Sequence, residues 1–300
     1  MKRLRHFLEV DDLRADELIA VLDAADAQPV PVLRGLGVGL VFEKPSLRTR
    51  NSCEMAVVQL GGHPVTIKND EIVLDARETV EDVTRVLAGY YAVLGARVFA
   101  HNFVERMAAV STVPVVNLLS DTAHPCQALA DLLTIRRHFG GLRDLQLGWV
   151  GDFNNVARSL TLGAAMAGIH VRISSPHGYG PGDVDIERRL AVAPAGVTIE
   201  AVPRPLDAVK GADIVVTDSW VSMGQEADRS ARVRSFEGFT VDEELFGSAA
   251  AGAVFLHCLP AHRGEEVSAE VIDGPQSLVI PEAHNRLHAF RGLLLWLFDR

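Results

Sequence analysis

Three hundred residues, 48% of them hydrophobic, suffice for one large α/β domain or two medium ones with substantial cores. A formal net charge of −10 excludes a general nucleic-acid binder, which needs a basic surface, but still admits a small anion held by a local cluster of arginines. Three cysteines, Cys53, Cys126 and Cys258, without CxxC spacing read as reduced thiols, so neither a disulfide framework nor a metal site is expected.

The start, MKRLRHFLEVDDL, has basic residues but no apolar stretch after them, and no uncharged run reaches membrane-spanning length. The expectation is therefore a cytoplasmic chain with no membrane partner. Short β-branched runs then alternate with amphipathic helical stretches. Gly37–Phe42 reads as a strand, followed by a helix from about Arg50 to Leu60, and His63–Lys68 as a second strand. Glu78–Tyr91 has helical spacing; Ala96–Ala100 and Val113–Leu118 read as strands around a short helix, Phe103–Val110. His124–Phe139 is a helix with Pro125 in its first turn, where a missing N–H costs little, and Gly140–Gly141 stop it.

The rhythm restarts at Leu145–Val150, with a helix from about Asn155 to Ala167. Strands follow at Val171–Ser174, Val197–Val202, Asp213–Thr217 and Val254–His257, then a last helix from about Pro281 to Phe298. Gly178–Asp183 and Ala193–Gly196 read as surface loops. Such alternation predicts two doubly wound parallel-sheet α/β domains with a cleft between them. The expected division is residues 1–139, with the C-terminal helix at about 281–300 packing back on them, against residues 140–280.

In open α/β sheets ligands bind beyond the carboxyl ends of strands, and the polar residues cluster there. Ser46, Leu47, Arg48, Thr49 and Arg50 open a helix directly after the first strand. A helix N-terminus offers unpaired N–H groups and a positive dipole end, and arginines add bidentate contacts suited to phosphate. The alternative is a capped, solvent-facing helix start. His124 and Gln127, three apart on a first helical turn, can face one carbonyl oxygen, or His124 is merely a cap. Asp218, with Ser219 and Ser222 nearby, follows a strand and suits an ammonium group, or reflects turn chemistry. Cys258 in His257-Cys258-Leu259-Pro260 reads as a reactive thiol or as a small buried hydrophobe. Asn154-Asn155 and Arg286 are individually weak signals.

Taken in order, SxRTR, HPxQ, DxxxSMG and HCLP, with the NN and HNRLH segments, resemble the transcarbamoylase family over nearly the whole chain. The SMG and HCLP pair resembles the ornithine carbamoyltransferases within it. That resemblance implies an enzyme transferring the carbamoyl group of carbamoyl phosphate to the δ-amine of ornithine, giving citrulline and phosphate. It implies no cofactor, a homotrimer or a multiple of trimers, a first domain for carbamoyl phosphate and a second for ornithine. By motif match, Ser46, Leu47, Arg48, Thr49 and Arg50 hold the phosphate, and Arg97, His124, Gln127 and Arg286 contact the carbamoyl or phosphate oxygens. Asn155, Asp218, Ser222 and Met223 hold ornithine, and Cys258 with Leu259 lies beside the reacting carbon. Arg97, His124, Asp218 and Cys258 are the implied catalytic set.

The match departs at one place. Many family members read QLG where this chain has Val73-Leu74-Asp75, so the resemblance implies that a side-chain donor to carbamoyl phosphate in the neighbouring subunit is lost or comes from elsewhere, with Arg77 the alternative. Two further readings compete: a sibling transcarbamoylase acting on putrescine or an N-acylated ornithine, and a non-catalytic binding protein on the same fold. An aspartate-using enzyme is disfavoured, because Asp218 would repel a second carboxylate.

Overall fold

The structure, a computed structural model, describes residues 4–221 and 226–298. The chain divides into two compact units, Met1–Leu133 with His284–Arg300, and Thr134–Ala283. Both crossings fall inside helices rather than at Gly140–Gly141.

The first unit carries β1 (Gly37–Phe42), β2 (His63–Lys68), β3 (Val93–Arg97) and β4 (Val115–Leu119). They form a parallel sheet of order β2-β1-β3-β4. Its helices are α1 (Ala15–Asp26), α2 (Leu47–Gln59), α3 (Asn69–Ile72), α4 (Val80–Ala88) and α5 (His101–Val110), then the start of α6 (Pro125–Phe139). The second unit has α7 (Asn155–Ala167), α8 (Asp183–Val192), α9 (Pro205–Val209), α10 (Arg229–Ser235), α11 (Glu243–Phe246) and α12 (Ala269–Ile272). These surround a parallel sheet of order β7-β6-β5-β8-β9. Its strands are β5 (Gln146–Val150), β6 (His170–Ser174), β7 (Ile199–Ala201), β8 (Ile214–Val216) and β9 (Val254–Leu256). The last helix, α13 (Val279–Phe298), begins in the second unit and ends in the first.

Strands β3, β4, β8 and β9 are buried at every residue, and their largely Val/Ile/Leu sequences follow from that. In each sheet the winding reverses beside the first strand, between β1 and β3 and between β5 and β8. Ligands of open α/β sheets bind at such switch points.

Three sequence expectations shift. The strand expected at Ala96–Ala100 lies at Val93–Arg97, all five residues buried, with a register shift between Ala96 and Arg97 where it ends. Arg97 is therefore a strand-end residue and not a strand-interior one. Helix α8 was not expected, because the residue it buries most deeply is Arg189, at 2% exposure. An arginine on the inward face hides the apolar periodicity. The amphipathic α1 also forms, burying Leu18, Val21, Leu22 and Ala25.

Helix α13 docks on α1 through a close backbone approach at Gly292. A Cβ there would lie 2.5 Å from the Val21 carbonyl oxygen and 2.7 Å from the Ala25 nitrogen. Neither backbone atom can yield. Beside it, Arg291 donates to the Ala25 carbonyl (2.8 Å), near the end of α1, and to Gln59 Oε1 (2.8 Å). Alanine is the better helix former by about 1 kcal/mol, yet Gly292→Ala is expected to destabilise the protein by about 1–3 kcal/mol through overpacking. Urea denaturation measures this; an unchanged or raised midpoint would contradict the packing account.

Candidate functional site

Two polar clusters sit at the strand ends, one in each unit. In the first unit, Ser46 ends the β1–α2 connection in extended conformation and caps α2, its Oγ accepting from the Thr49 N–H at 3.1 Å. This turns the buried Thr49 side chain (1% exposed) toward the end of β3. There, Arg97 Nη1 donates to Thr49 Oγ1 at 3.3 Å. From α13, Arg286 Nη2 donates to the same oxygen at 2.6 Å, and its Nη1 donates to Gln127 Oε1 and lies 3.5 Å from His124 Nε2. Gln127 is oriented from behind by Asp131, which accepts from its Nε2 at 2.7 Å. Arg97, His124, Gln127 and Arg286 are all buried.

Among the described residues, the partners of Arg286 are a hydroxyl, an amide and an imidazole, none of them an anion. A buried guanidinium in that company is costly until an anion arrives. Burial, and then the positive charges of Arg286, Arg97 and Arg48, hold His124 well below the usual histidine range. His124 is therefore a neutral imidazole at neutral pH.

Not every residue expected to hold the phosphate joins this cluster. Half-buried Arg48 contributes its charge to it. Arg50 instead points outward and pairs with Glu54 at 2.9 Å, and Leu47 is 75% exposed. On a helix, neighbours in sequence face different ways, and positions 47 and 50 fall on the side away from Thr49. Both line a separate depression of about 640 Å³ with Ser46, Thr66 and Lys68.

Two of the three thiols are structural. Burial pushes Cys53 up to about 12 and Cys126 well above the usual thiol range. Cys126 Sγ donates to the Asn117 carbonyl at 3.4 Å, tying the start of α6 to β4.

In the second unit the cluster lies beyond β5, β8 and β9. Asn154 caps α7, its Oδ1 accepting from the N–H groups of Val156 (3.0 Å) and Ala157 (3.1 Å). Its Nδ2 then donates to Asp218 Oδ2 at 2.7 Å. Cys258 Sγ donates to the other oxygen, Asp218 Oδ1, at 3.3 Å. Asp218 is 9% exposed, and among the described residues no cation pairs with it. Asn155, the first residue of α7, is half-buried one position further on. Leu259 adopts φ 58°, and its N–H donates to His257 Nδ1 at 2.9 Å. Ser222 and Met223 lie outside the described residues.

Sequence reasoning undervalued Asn154, which is both cap and carboxylate partner; the signal was an N-cap residue directly before a helical run. It also missed Asp131 and Asn117; Ser219, named beside Asp218, donates its Oγ to the Pro260 carbonyl at 2.9 Å. Asp218, His257 and Cys258 each bring one ligand-type atom within 4.8 Å of the others. Both ring nitrogens of His257 are already engaged, by Leu259 N–H and by Glu266, so coordination there would break the turn that presents Cys258.

The loop that departs from QLG is held in a strained form. Val73 has φ 39° at the end of α3, and Asp75 has φ 58°. Asp75 accepts from Val80 N–H (3.2 Å) and pairs with Arg106, which also pairs with Glu81. Arg77 Nη1 donates to the Glu71 carbonyl of its own loop.

Comparison with known proteins also divides the chain in two, with the last helix counted in the second part. Residues 5–137 match the family description "Aspartate/ornithine carbamoyltransferase, carbamoyl-P binding domain", and residues 143–297 match its "Asp/Orn binding domain". The chain is 49% identical to an ornithine carbamoyltransferase of Acidothermus cellulolyticus, over 99% of this chain and 97% of that one. It is similar to the solved ornithine carbamoyltransferase of Pyrococcus furiosus, with a TM-score of 0.93, 41% identity and coverage of 97% and 96%. It is also similar, at 29% identity and a TM-score of 0.89, to an acetylornithine transcarbamylase solved with acetylcitrulline, over 99% of this chain and 100% of that one.

A buried histidine kept neutral makes stability depend on pH. The unfolded chain binds a proton at His124 near pH 6.5, and the folded chain does so only further down. Its contribution is thus present in full above about pH 6.5 and is lost as pH falls toward the folded value. The expected loss is at most about 1.4 kcal/mol per pH unit. Urea titrations at several pH values should show this slope in the wild type and a shallower one in His124→Gln; parallel curves would contradict it.

Proposed function

The chain belongs to the aspartate/ornithine carbamoyltransferase family, and on that premise we propose that it transfers the carbamoyl group of carbamoyl phosphate to the δ-amine of L-ornithine. The products are L-citrulline and phosphate. The observation that carries this reading is the pairing of opposite deficits among the described residues: a buried Arg286 with only neutral partners in one unit, and Asp218 without a cation in the other. The first suits a phosphate dianion and the second an ammonium or amine.

In this reading the α2 N-terminus, Ser46, Arg48 and Thr49 take the phosphate, with Arg97 and Arg286 giving charge-assisted hydrogen bonds to its oxygens and to the carbamoyl oxygen. Neutral His124 donates one N–H to that carbamoyl oxygen, and Gln127 contacts the carbamoyl group. Asn155 and Asp218 hold the amino acid, and Cys258 with Leu259 borders the reacting amine. The neutral δ-amine attacks the carbonyl carbon, a C–N bond forms, and the oxyanion of the tetrahedral intermediate meets Arg97, His124 and Thr49. Donors fixed before charge develops are the main electrostatic source of catalysis. The C–O bond to phosphate then breaks, and the departing phosphate accepts the amine proton. The amine has a reference pKa of about 10.4, so the chemical step should speed up with pH through the neutral range.

A cytoplasmic homotrimer serving arginine metabolism completes the proposal. The decisive assay incubates the protein with carbamoyl phosphate and, separately, ornithine, N-acetylornithine, putrescine or aspartate, reading phosphate release and the carbamoylated product. Citrulline formed with ornithine alone is expected. Turnover only with another amine would make the chain a sibling transcarbamoylase, and no turnover would make it a binding protein.

The departure at Val73 adds a quantitative expectation. A hydrogen bond to a charged ligand is worth about 1.5–3 kcal/mol, and glutamine lacks the β-branch that strains φ 39°. Val73→Gln is expected to lower the KM for carbamoyl phosphate about tenfold or more. An unchanged KM in steady-state assays would show that the loop contributes no donor.

A further inference from the structure

Helix α8 holds an ionic platform that the proposed reaction leaves unexplained. Arg189 is 2% exposed, a position where an apolar side chain would ordinarily be cheaper. Its Nε donates to Thr161 Oγ1 (2.7 Å), its Nη1 to the Asp185 carbonyl (2.6 Å) and its Nη2 to the Arg158 carbonyl (2.7 Å). Arg158, on α7, donates to Asp185 Oδ1 at 2.6 Å, and the same oxygen lies 3.9 Å from Arg189 Nη1. One carboxylate thus joins two guanidiniums from adjacent helices.

Both guanidiniums bear on one ring. Arg158 Cζ is 4.9 Å and Arg189 Cζ is 4.8 Å from the centroid of Phe153. Phe153 is 3% exposed, and its N–H donates to the Tyr179 carbonyl at 2.9 Å. The next residue is Asn154, whose side chain caps α7 with one atom and donates to Asp218 with the other. An amide that bridges two fixed partners needs its backbone held in one orientation, and Phe153, anchored by ring and N–H, immediately precedes it.

We propose that Arg158, Asp185 and Arg189 are positioning residues for the amino-acid half-site, acting through Phe153 to aim the Asn154 amide at Asp218. Their side chains bond Thr161, each other and main-chain carbonyls, not Asp218. The cation–π contacts fix the ring and the Thr161 and main-chain hydrogen bonds fix the guanidinium, so the cap and the Asp218 contact form together. The proposal rests on the ornithine reading for its kinetic consequence, but not for its structural one.

The test uses the full-length protein and two variants, Arg189→Met and Phe153→Leu, with Arg189→Lys as the conservative control. Arg189→Met should raise the KM for ornithine about tenfold while kcat and the KM for carbamoyl phosphate change less than about threefold. Arg189→Lys should recover part of the loss, because an ammonium keeps the attraction to the ring without the fork. Phe153→Leu keeps an apolar filler and removes the π face, so it should reproduce the KM effect even if Arg189→Met fails to fold.

The second readout needs no substrate. Nuclear magnetic resonance of the ligand-free protein should show the Asn154 side-chain amide protons protected from exchange in the wild type and exposed in either variant. Folded variants with wild-type ornithine KM and a protected Asn154 amide would overturn the proposal. Should the wild type turn over no amine, the functional reading fails, and the exchange measurement still decides the platform.

Discussion

A guanidinium buried among neutral groups is the constraint on which the site depends. Arg286 reaches Thr49, Gln127 and His124 only because α13 returns to the first unit. That return rests on Gly292, where α13 meets the backbone of α1 without room for a Cβ, and on Arg291, which closes the end of α1. The last stretch of chain therefore supplies a positive charge to a sheet built by the first half. On the proposed reading an anionic substrate offsets the cost of burying that charge, while burial, and then the surrounding positive charges, keep His124 neutral and able to donate.

The second unit answers with the opposite sign. Asp218 is held by an amide and a thiol and by no cation among the described residues. Its carboxylate is oriented before any substrate arrives, since Asn154 is fixed by its own cap and Cys258 by the turn after β9. Each cluster sits beyond the carboxyl ends of a parallel sheet and beside its switch point, where backbone N–H groups and loop side chains converge. The two units use one architectural rule to build polar clusters of opposite charge.

The strand–helix alternation made the parallel sheets legible; β1, β2 and α7 fall at the residues read from sequence, β1 as the apolar run of a buried strand and β2 as a half-exposed edge strand. What sequence concealed has a separate physical reason at each place. Helix α8 hides behind an inward-facing arginine, and the shift at β3 comes from a register irregularity that no local pattern announces. For the site, ordered motifs pointed to Thr49, Arg97, His124, Gln127 and Arg286, which the fold brings together. They could not tell Arg48 from Arg50, because which side a helical residue faces depends on how the first turn is capped. Asn154 was overshadowed by Asn155, since a cap and a ligand look alike until the carboxylate opposite is seen. The strained backbone at Val73 and Asp75 was likewise invisible, although the unusual residues themselves marked the loop.

The central claim is that Arg286 is a cation placed for an anionic substrate, and calorimetric titration of carbamoyl phosphate into the wild type and Arg286→Gln tests it most directly. Glutamine retains hydrogen-bonding capacity but removes the charge, so affinity should fall by about ten- to a hundredfold, with binding of inorganic phosphate weakened in parallel. Equal affinity in a folded Arg286→Gln variant would mean that the buried guanidinium serves packing alone, and the account of the site would be wrong.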